Sequence, residues 1–291
     1  MEFDRGNLDY AFMQLNLTRA TDSTLNYAVN TEMAKLQYAN GDYFFASLGF
    51  NPGDLTVGDW MQIGNAAGKR GNKPAALEAF RRVIEADPKN TAPYLAMAKI
   101  SLALGDSLAM DNLQPAIAIA PRDLEVNVVH TQILLAQGQV DAAAVIAKDL
   151  NARAAGDRGV RIVSALLFAA QGDTTNAIAA FEKLRLENPI APDVVLAMAH
   201  LYRAKRMDFE GQNMLMSAKS INPENPDFWY ELAHFERLLA RPEESGANAM
   251  EAMKCAPSLE RSQQIAAEFK EEITSFRALH PAQEEVQENG N

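Results

Sequence analysis

The sequence predicts an all-α repeat protein, and three observations predict it. Prolines recur on a fixed period of about 34 residues, at Pro88 and Pro121 and again at Pro189, Pro223 and Pro257. Ala155 holds the proline place midway between Pro121 and Pro189. Between these markers helical segments alternate, with small residues at two fixed places and larger apolar residues around them. Self-similarity at about 20–50 residues marks stacked supersecondary units, none of which buries its apolar face alone.

The most complete unit runs from Val57 to Asn90 and carries Trp60, Ile63, Gly64, Ala67, Gly71, Ala76, Phe80, Val83 and Pro88. Later units begin at Thr91, Leu124, Arg158, Pro192 and Pro226, and the sixth ends near Leu259. Position eight of the units is Gly64, Ala98, Thr131, Ala165, Ala199 and Ala233. Position twenty is Ala76, Ala109, Ala143, Ala177, Gly211 and Ser245, allowing a one-residue deletion in the second unit. Small residues at both places let the two helices of a pair approach closely. Phe80, Leu113, Phe181 and Leu215 fill the space around them. Gly71, Gly105, Gly138 and Gly172 sit where the first helix must stop, which suits a left-handed cap. The prolines end the second helix by withholding an N–H.

These residues resemble the tetratricopeptide repeat (TPR) family over roughly 200 residues. The resemblance implies a right-handed solenoid of antiparallel helix pairs. Two departures stand out. Arg206 and Ala240 replace the turn glycine, so those turns are expected to be made differently. Asn127 and Arg161 stand where an aromatic or apolar residue is usual, and Ser164 weakens the same unit as Arg161, so the middle of the array reads as more loosely specified.

The flanks divide further. Residues 1–22 form an N-terminal arm, in which Leu8 to Leu15 suits a short helix or an extended strand of chain. Residues 23–56 read as a degenerate helical segment, with Gly41, Ala46 and Phe50 in register and Asn51-Pro52-Gly53 breaking its second helix. Residues 57–257 hold the six units. Ser258 reads as an N-cap for a capping helix over 258–280, whose Ile265, Phe269, Ile273 and Phe276 share one face. Residues 281–291 are acidic and expected to be disordered.

Composition narrows the function without naming it. With 27 Lys and Arg against 38 Asp and Glu, the net charge is −11, which argues against binding nucleic acid or an anionic membrane. No apolar run approaches the roughly 18 residues of a membrane span, so no direct membrane insertion is expected. The polar start carries no leader, so the chain is expected in the cytoplasm, or in the periplasm or envelope if a leader was removed. Cys255 is the single cysteine and reads as a packing residue. Asn16-Leu17-Thr18 fits a glycosylation acceptor, a pattern common by chance. Gly64 to Arg70 is one residue short of a phosphate loop, lacks the hydroxyl residue after Lys69, and falls inside a helix. No catalytic constellation, metal site or cofactor is expected around His130, His200, His234 and His280.

In the family, positions two, five, nine and twelve of each first helix face the inner curve, which implies a groove. Its candidate residues are Asn65, Leu95, Lys99, Leu102, Val128, Gln132, Leu135, Ile162, Leu166, Leu196, His200, Arg203, Tyr230, His234 and Arg237, with Met61 and Ala169 beside them. The aliphatic members form a strip that is costly to leave open. It is open to three fates: packing among itself, a partner's apolar helix or extended segment, or the chain's own Leu8–Leu17. His200-x-x-Arg203 and His234-x-x-Arg237 form a short ladder on one face of successive units. Arginines there suit a partner's carboxylate or phosphate, unless Asp193 and Asp227 neutralise them. The carboxylate clamp of chaperone-docking members is not matched, because Glu125 and Val129 stand where its basic pair would be.

The expected function is a non-enzymatic scaffold or adaptor for a protein or peptide partner. The build is similar to bacterial assembly factors of the tight-adherence (Flp) pilus type, which implies a role in an envelope or pilus complex. Two alternatives stand beside it: self-association through the terminal helices, and an enzyme with its site at the histidine ladder.

Overall fold

A computed structural model describes residues 35, 55–69, 72–189, 191–256 and 259–280. The N-terminal arm, nearly all of the degenerate segment, the acidic tail, Gly41, Gly71 and Ser258 lie outside the described residues. Within them there are α-helices and no strand, as an all-α solenoid requires. The helices are α1 (Val57–Lys69), α2 (Lys73–Ala86), α3 (Thr91–Ala103), α4 (Ala109–Ile119) and α5 (Leu124–Ala136). They continue as α6 (Val140–Ala154), α7 (Arg158–Ala170), α8 (Thr174–Glu187), α9 (Pro192–Ala204) and α10 (Asp208–Ile221). Last come α11 (Pro226–Leu238), α12 (Pro242–Cys255), α13 (Leu259–Glu268) and α14 (Lys270–Leu279). The chain divides into two compact bodies, one through Gln137 and one from Gly138.

Local chemistry sets the helix ends. Asn90, Asp123, Asp157, Asp173 and Asn225 each accept a backbone N–H from the first turn of the helix that follows. Such a side chain satisfies one of the orphan donors, and losing it costs about 1 kcal/mol. Asp87, Ala120, Asn188 and Asn222 each precede a proline and leave the helical region, with φ between −145° and −129° and ψ between 68° and 95°. The proline ring clashes with a helical residue before it, so the second helices end there. Where Ala155 takes the proline place, the cap stays helical and α6 runs to 15 residues.

The turns correct one expectation. Gly105, Gly138 and Gly172 have φ of 65°, 72° and 82°, and Arg206 and Ala240 adopt the same left-handed form at 58° and 57°. The turns lacking glycine are therefore made the same way, with a side chain forced into a region that costs it roughly 1–2 kcal/mol. A Cβ at Gly105, Gly138 or Gly172 would meet nothing within 4 Å, so backbone conformation alone favours glycine there. Ala240→Gly and Arg206→Gly are each expected to raise stability by about 0.5–1 kcal/mol, after the added freedom of the unfolded glycine is subtracted. Urea unfolding of the two variants measures this, and a loss of stability contradicts it.

Close helix approach appears where position eight or twenty is glycine. In the first body a Cβ on Gly64 would stand 2.5 Å from Cε1 of Phe80, which is fully buried. In the second body a Cβ on Gly211 would stand 2.2 Å from Cζ of Phe235. That ring shares a core with Phe181, Met198, Leu215, Phe228 and Leu232.

The end of the chain also differs from expectation. The single capping helix is two, α13 and α14, hinged at Phe269 (φ −107°, ψ 26°). The bend places Phe269 and Ile273 in one core with Ala233, Ala249, Ala252 and Ile265. Gln263, Gln264, Lys270, Glu271, Thr274, Ser275 and Arg277 face solvent.

Candidate functional site

The expected groove residues divide by exposure. In the first body Asn65 and Lys99 are exposed, and Leu102, Gln132 and Leu135 are half-buried. Lys99 Nζ donates to Glu125 at 2.6 Å, across an exposed pair. Leu95 and Val128 are buried. In the second body Ile162 is buried, and Leu166, Ala169 and Leu196 are half-buried against the core that contains Val194, Val195 and Met198. The strip is therefore not open along its length. Leu95 and Ile162 are spent on their own cores, and Val128 is likewise closed to a partner. What stays accessible in the second body is a half-covered apolar patch on α7 and α9, next to His200, whose side chain is 58% exposed.

The histidine–arginine ladder is built, but its carboxylates come from elsewhere than expected. His200 Nε2 lies 3.1 Å from Oε1 of Glu231, one helix pair further on. Arg203 Nη1 lies 3.1 Å from Oε2 of the same side chain, close enough for charge pairing though not aligned as a hydrogen bond. His234 Nε2 is 3.2 Å from Glu268 Oε1, and Arg237 pairs with Glu272 and donates to the Glu268 carbonyl at 2.8 Å. Asp193 instead takes both guanidinium nitrogens of Arg158 at 2.6 Å, and Asp227 lies 3.8 Å from Arg261. Arg203 and Arg237 are thus engaged within the chain rather than held for a partner's acid.

At its C-terminal end the ladder is also walled by aromatics. Tyr230 donates to Glu268 at 2.8 Å, and its ring meets His234 edge-on at 4.7 Å. His234 meets Phe269 at 4.9 Å, and Arg237 lies 4.1 Å over the Phe269 ring. Each such contact is worth about 0.5–1.5 kcal/mol beyond burial. So Tyr230, His234 and Arg237 dock α13 and α14 onto α11.

The charges are tuned accordingly. Burial pushes the Glu231 carboxyl up, but the His200 hydrogen bond and the charges of His200, Arg203 and His234 outweigh it and hold the group below its usual value. Burial pushes His234 down, and the Arg203 charge pushes it further, against the pull of Glu231 and Glu268. Burial raises Asp227, with Arg261 opposing. Burial and the bond to Glu268 push the Tyr230 phenol up to about 12.

The depressed His234 and Glu231 predict acid lability of the second body, and the raised Asp227 opposes it. A group whose native pKa is depressed binds its proton first in the unfolded chain, so stability falls as pH falls. For His234 the loss begins below its usual value of 6.5, and for Glu231 below 4.5. Tm is expected to drop from pH 7 to about pH 3, in two stages. His234→Gln should flatten the upper stage and Glu231→Gln the lower. Glu231→Gln should also cost about 1–3 kcal/mol at pH 7, because it weakens hydrogen bonds made to a charge. A flat Tm over that range contradicts the assignment.

The sequence carries no signal for Glu231. It lies at position six, which faces no groove in the repeat pattern, and its partners His200 and Arg203 belong to the preceding repeat. Among the described residues no group of three or more His, Cys, Asp or Glu side chains is placed to hold a metal ion. No described helix is long and apolar enough to cross a membrane.

Comparison with known proteins agrees with the repeat fold. Tetratricopeptide repeat profiles match residues 60–90 and 164–189. A tetratricopeptide repeat protein from Parabacteroides merdae is similar over 84% of this chain and 99% of its own, at 13% identity and a TM-score of 0.58. Human IFIT1, solved as a dimer with PPP-AAAA, is similar over 88% of this chain and 66% of its own, at 16% identity and a TM-score of 0.61. Yeast Tom70 is similar over 95% of this chain and 61% of its own, at 14% identity and a TM-score of 0.56. At these identities the likeness is one of fold. No curated protein matches the chain by sequence. Residues 60–90 and 164–189 thus carry tetratricopeptide repeats, and the described residues have an all-α repeat fold.

Proposed function

We propose that this tetratricopeptide-repeat chain is a non-enzymatic scaffold that holds a protein or peptide partner against the inner faces of its first helices. The observation that carries the reading is the patch on α7 and α9. Leu166, Ala169 and Leu196 remain half-covered there, beside the exposed His200. An apolar surface bordered by a polar side chain is the usual form of an interaction site. The occupant is an apolar helix or extended segment, held by burial rather than by an acid group, since Arg203 and Arg237 already have their carboxylates. The net charge of −11 supports a protein partner over nucleic acid. The resemblance to pilus-type assembly factors supports a place in the assembly of a larger envelope complex.

Leu166→Glu and Leu196→Glu are expected to lower partner capture at least tenfold with helical content unchanged. A charge placed in a buried apolar contact costs more than the free energy of a tenfold change in affinity, which is about 1.4 kcal/mol. His200→Ala also removes a hydrogen bond to the buried Glu231, so its binding is compared with its own urea unfolding curve. Pull-down with circular dichroism on the same samples tests this, and undiminished capture by all three variants contradicts it. The alternative, self-association through the terminal helices, rests on α14. Its exposed Leu279 is the feature that favours it, and sizing with and without residues 258–291 tests it.

A further inference from the structure

The opposite side of α7 holds a second feature. At 100° per residue, Arg161, Ser164 and Phe168 lie about 140° around α7 from the inner-face residues Ile162, Leu166 and Ala169. There, a hollow of about 230 Å³ opens between α6, α7 and α8. The repeat explains why it exists. Position four is Trp60, Tyr94 and Trp229 in three other units, and position seven is Ile63, Met97, Met198 and Leu232 in four. In this unit they are Arg161 and Ser164. Neither side chain fills the space. Arg161 turns away to Glu187 in a bidentate pair at 2.7 and 2.8 Å, and Ser164 donates back to the Val160 carbonyl at 2.8 Å. The result is a unit that lacks one large side chain.

We propose that this hollow takes an aromatic side chain which a partner protein carries next to an acidic residue. About 230 Å³ is below the roughly 300 Å³ at which small-molecule sites begin, and it suits a single anchoring side chain. Phe168, which is 36% exposed, and Ala180 give the hollow an apolar wall. Its polar rim is Asn151, Asn176, Arg161 and Lys183, of which Asn176 donates to Asp173 at 2.7 Å and Arg161 to Glu187. Arg161 is answered by Glu187, which leaves the Lys183 ammonium to meet an incoming negative charge. The hollow is independent of the inner-face reading, because substitutions at Leu166 and His200 leave it in place.

The test uses the full chain and two blocked dipeptides, acetyl-Tyr-Asp-amide and acetyl-Tyr-Lys-amide, followed by amide NMR. The Asp peptide is expected to shift Ser164, Phe168, Ala179 and Ala180 and to bind about twofold to fivefold more tightly than the Lys peptide, the range of one exposed ion pair. Lys183→Glu should invert that order. Ser164→Met restores the side chain found at the same place as Met97 and Met198, so it should fold and abolish both sets of shifts. No localised shift at millimolar peptide, or shifts that persist in Ser164→Met, overturns the proposal. Equal binding of the two peptides overturns the acidic neighbour.

Discussion

Phe235→Ala is expected to lower the stability of the second body by about 3–5 kcal/mol, the range for deleting a buried aromatic ring. The ring is fully buried in the core that α7 to α11 share. It fills space that Gly211 leaves open, since a Cβ on Gly211 would stand 2.2 Å from its Cζ. The partner substitution gives a second signature. Gly211→Ala should cost about 1–3 kcal/mol in the native chain, where the buried ring cannot retreat. It should cost far less in the Phe235→Ala background, where the ring is gone. Contacting residues couple in this way, and a double-mutant cycle by urea unfolding measures it. A cost below about 1 kcal/mol for Phe235→Ala, or simple additivity of the pair, contradicts the packing described.

Gly246→Ala is expected to detach the C-terminal helix. A Cβ at Gly246 would stand 2.3 Å from the carbonyl oxygen of Glu272 and 2.7 Å from its carbon. These are backbone atoms, so no side-chain rotation relieves the clash. Withdrawing α14 from α12 also disturbs the Arg237–Glu272 pair and draws Ile273 out of its core. The cost should reach at least about 1–3 kcal/mol. Amide exchange of residues 270–279 should then speed up at least tenfold, by local opening, while α7 and α8 keep their protection. Unchanged protection in α14 contradicts the close approach.

The prolines, small residues and turn glycines made the helix pairs legible, because each acts through local backbone chemistry that a regular spacing exposes. Arg206 and Ala240 show the limit of that reading. The surrounding hairpin imposes the left-handed form on whichever residue stands there, at a cost that composition does not reveal. The capping segment was legible as one apolar face, but the bend at Phe269 follows from tertiary packing on α11 and α12. The inner-face positions were found by register alone, and register does not tell a half-buried Leu166 from a buried Ile162. Glu231 was invisible because its role depends on a neighbour one repeat away. Arg161 and Ser164 were legible as departures, yet what they leave behind, a hollow, needs the third dimension.

In the proposed function the inner face of α7 and α9 receives the partner. The most direct measurement of this is photo-cross-linking in source cells, with a photoreactive side chain placed in turn at positions 166, 200 and 274. Positions 166 and 200 should give the same protein adduct, and position 274, on the polar outer side of α14, should give none. Adducts from position 274 alone, or none from 166 and 200, would contradict the account.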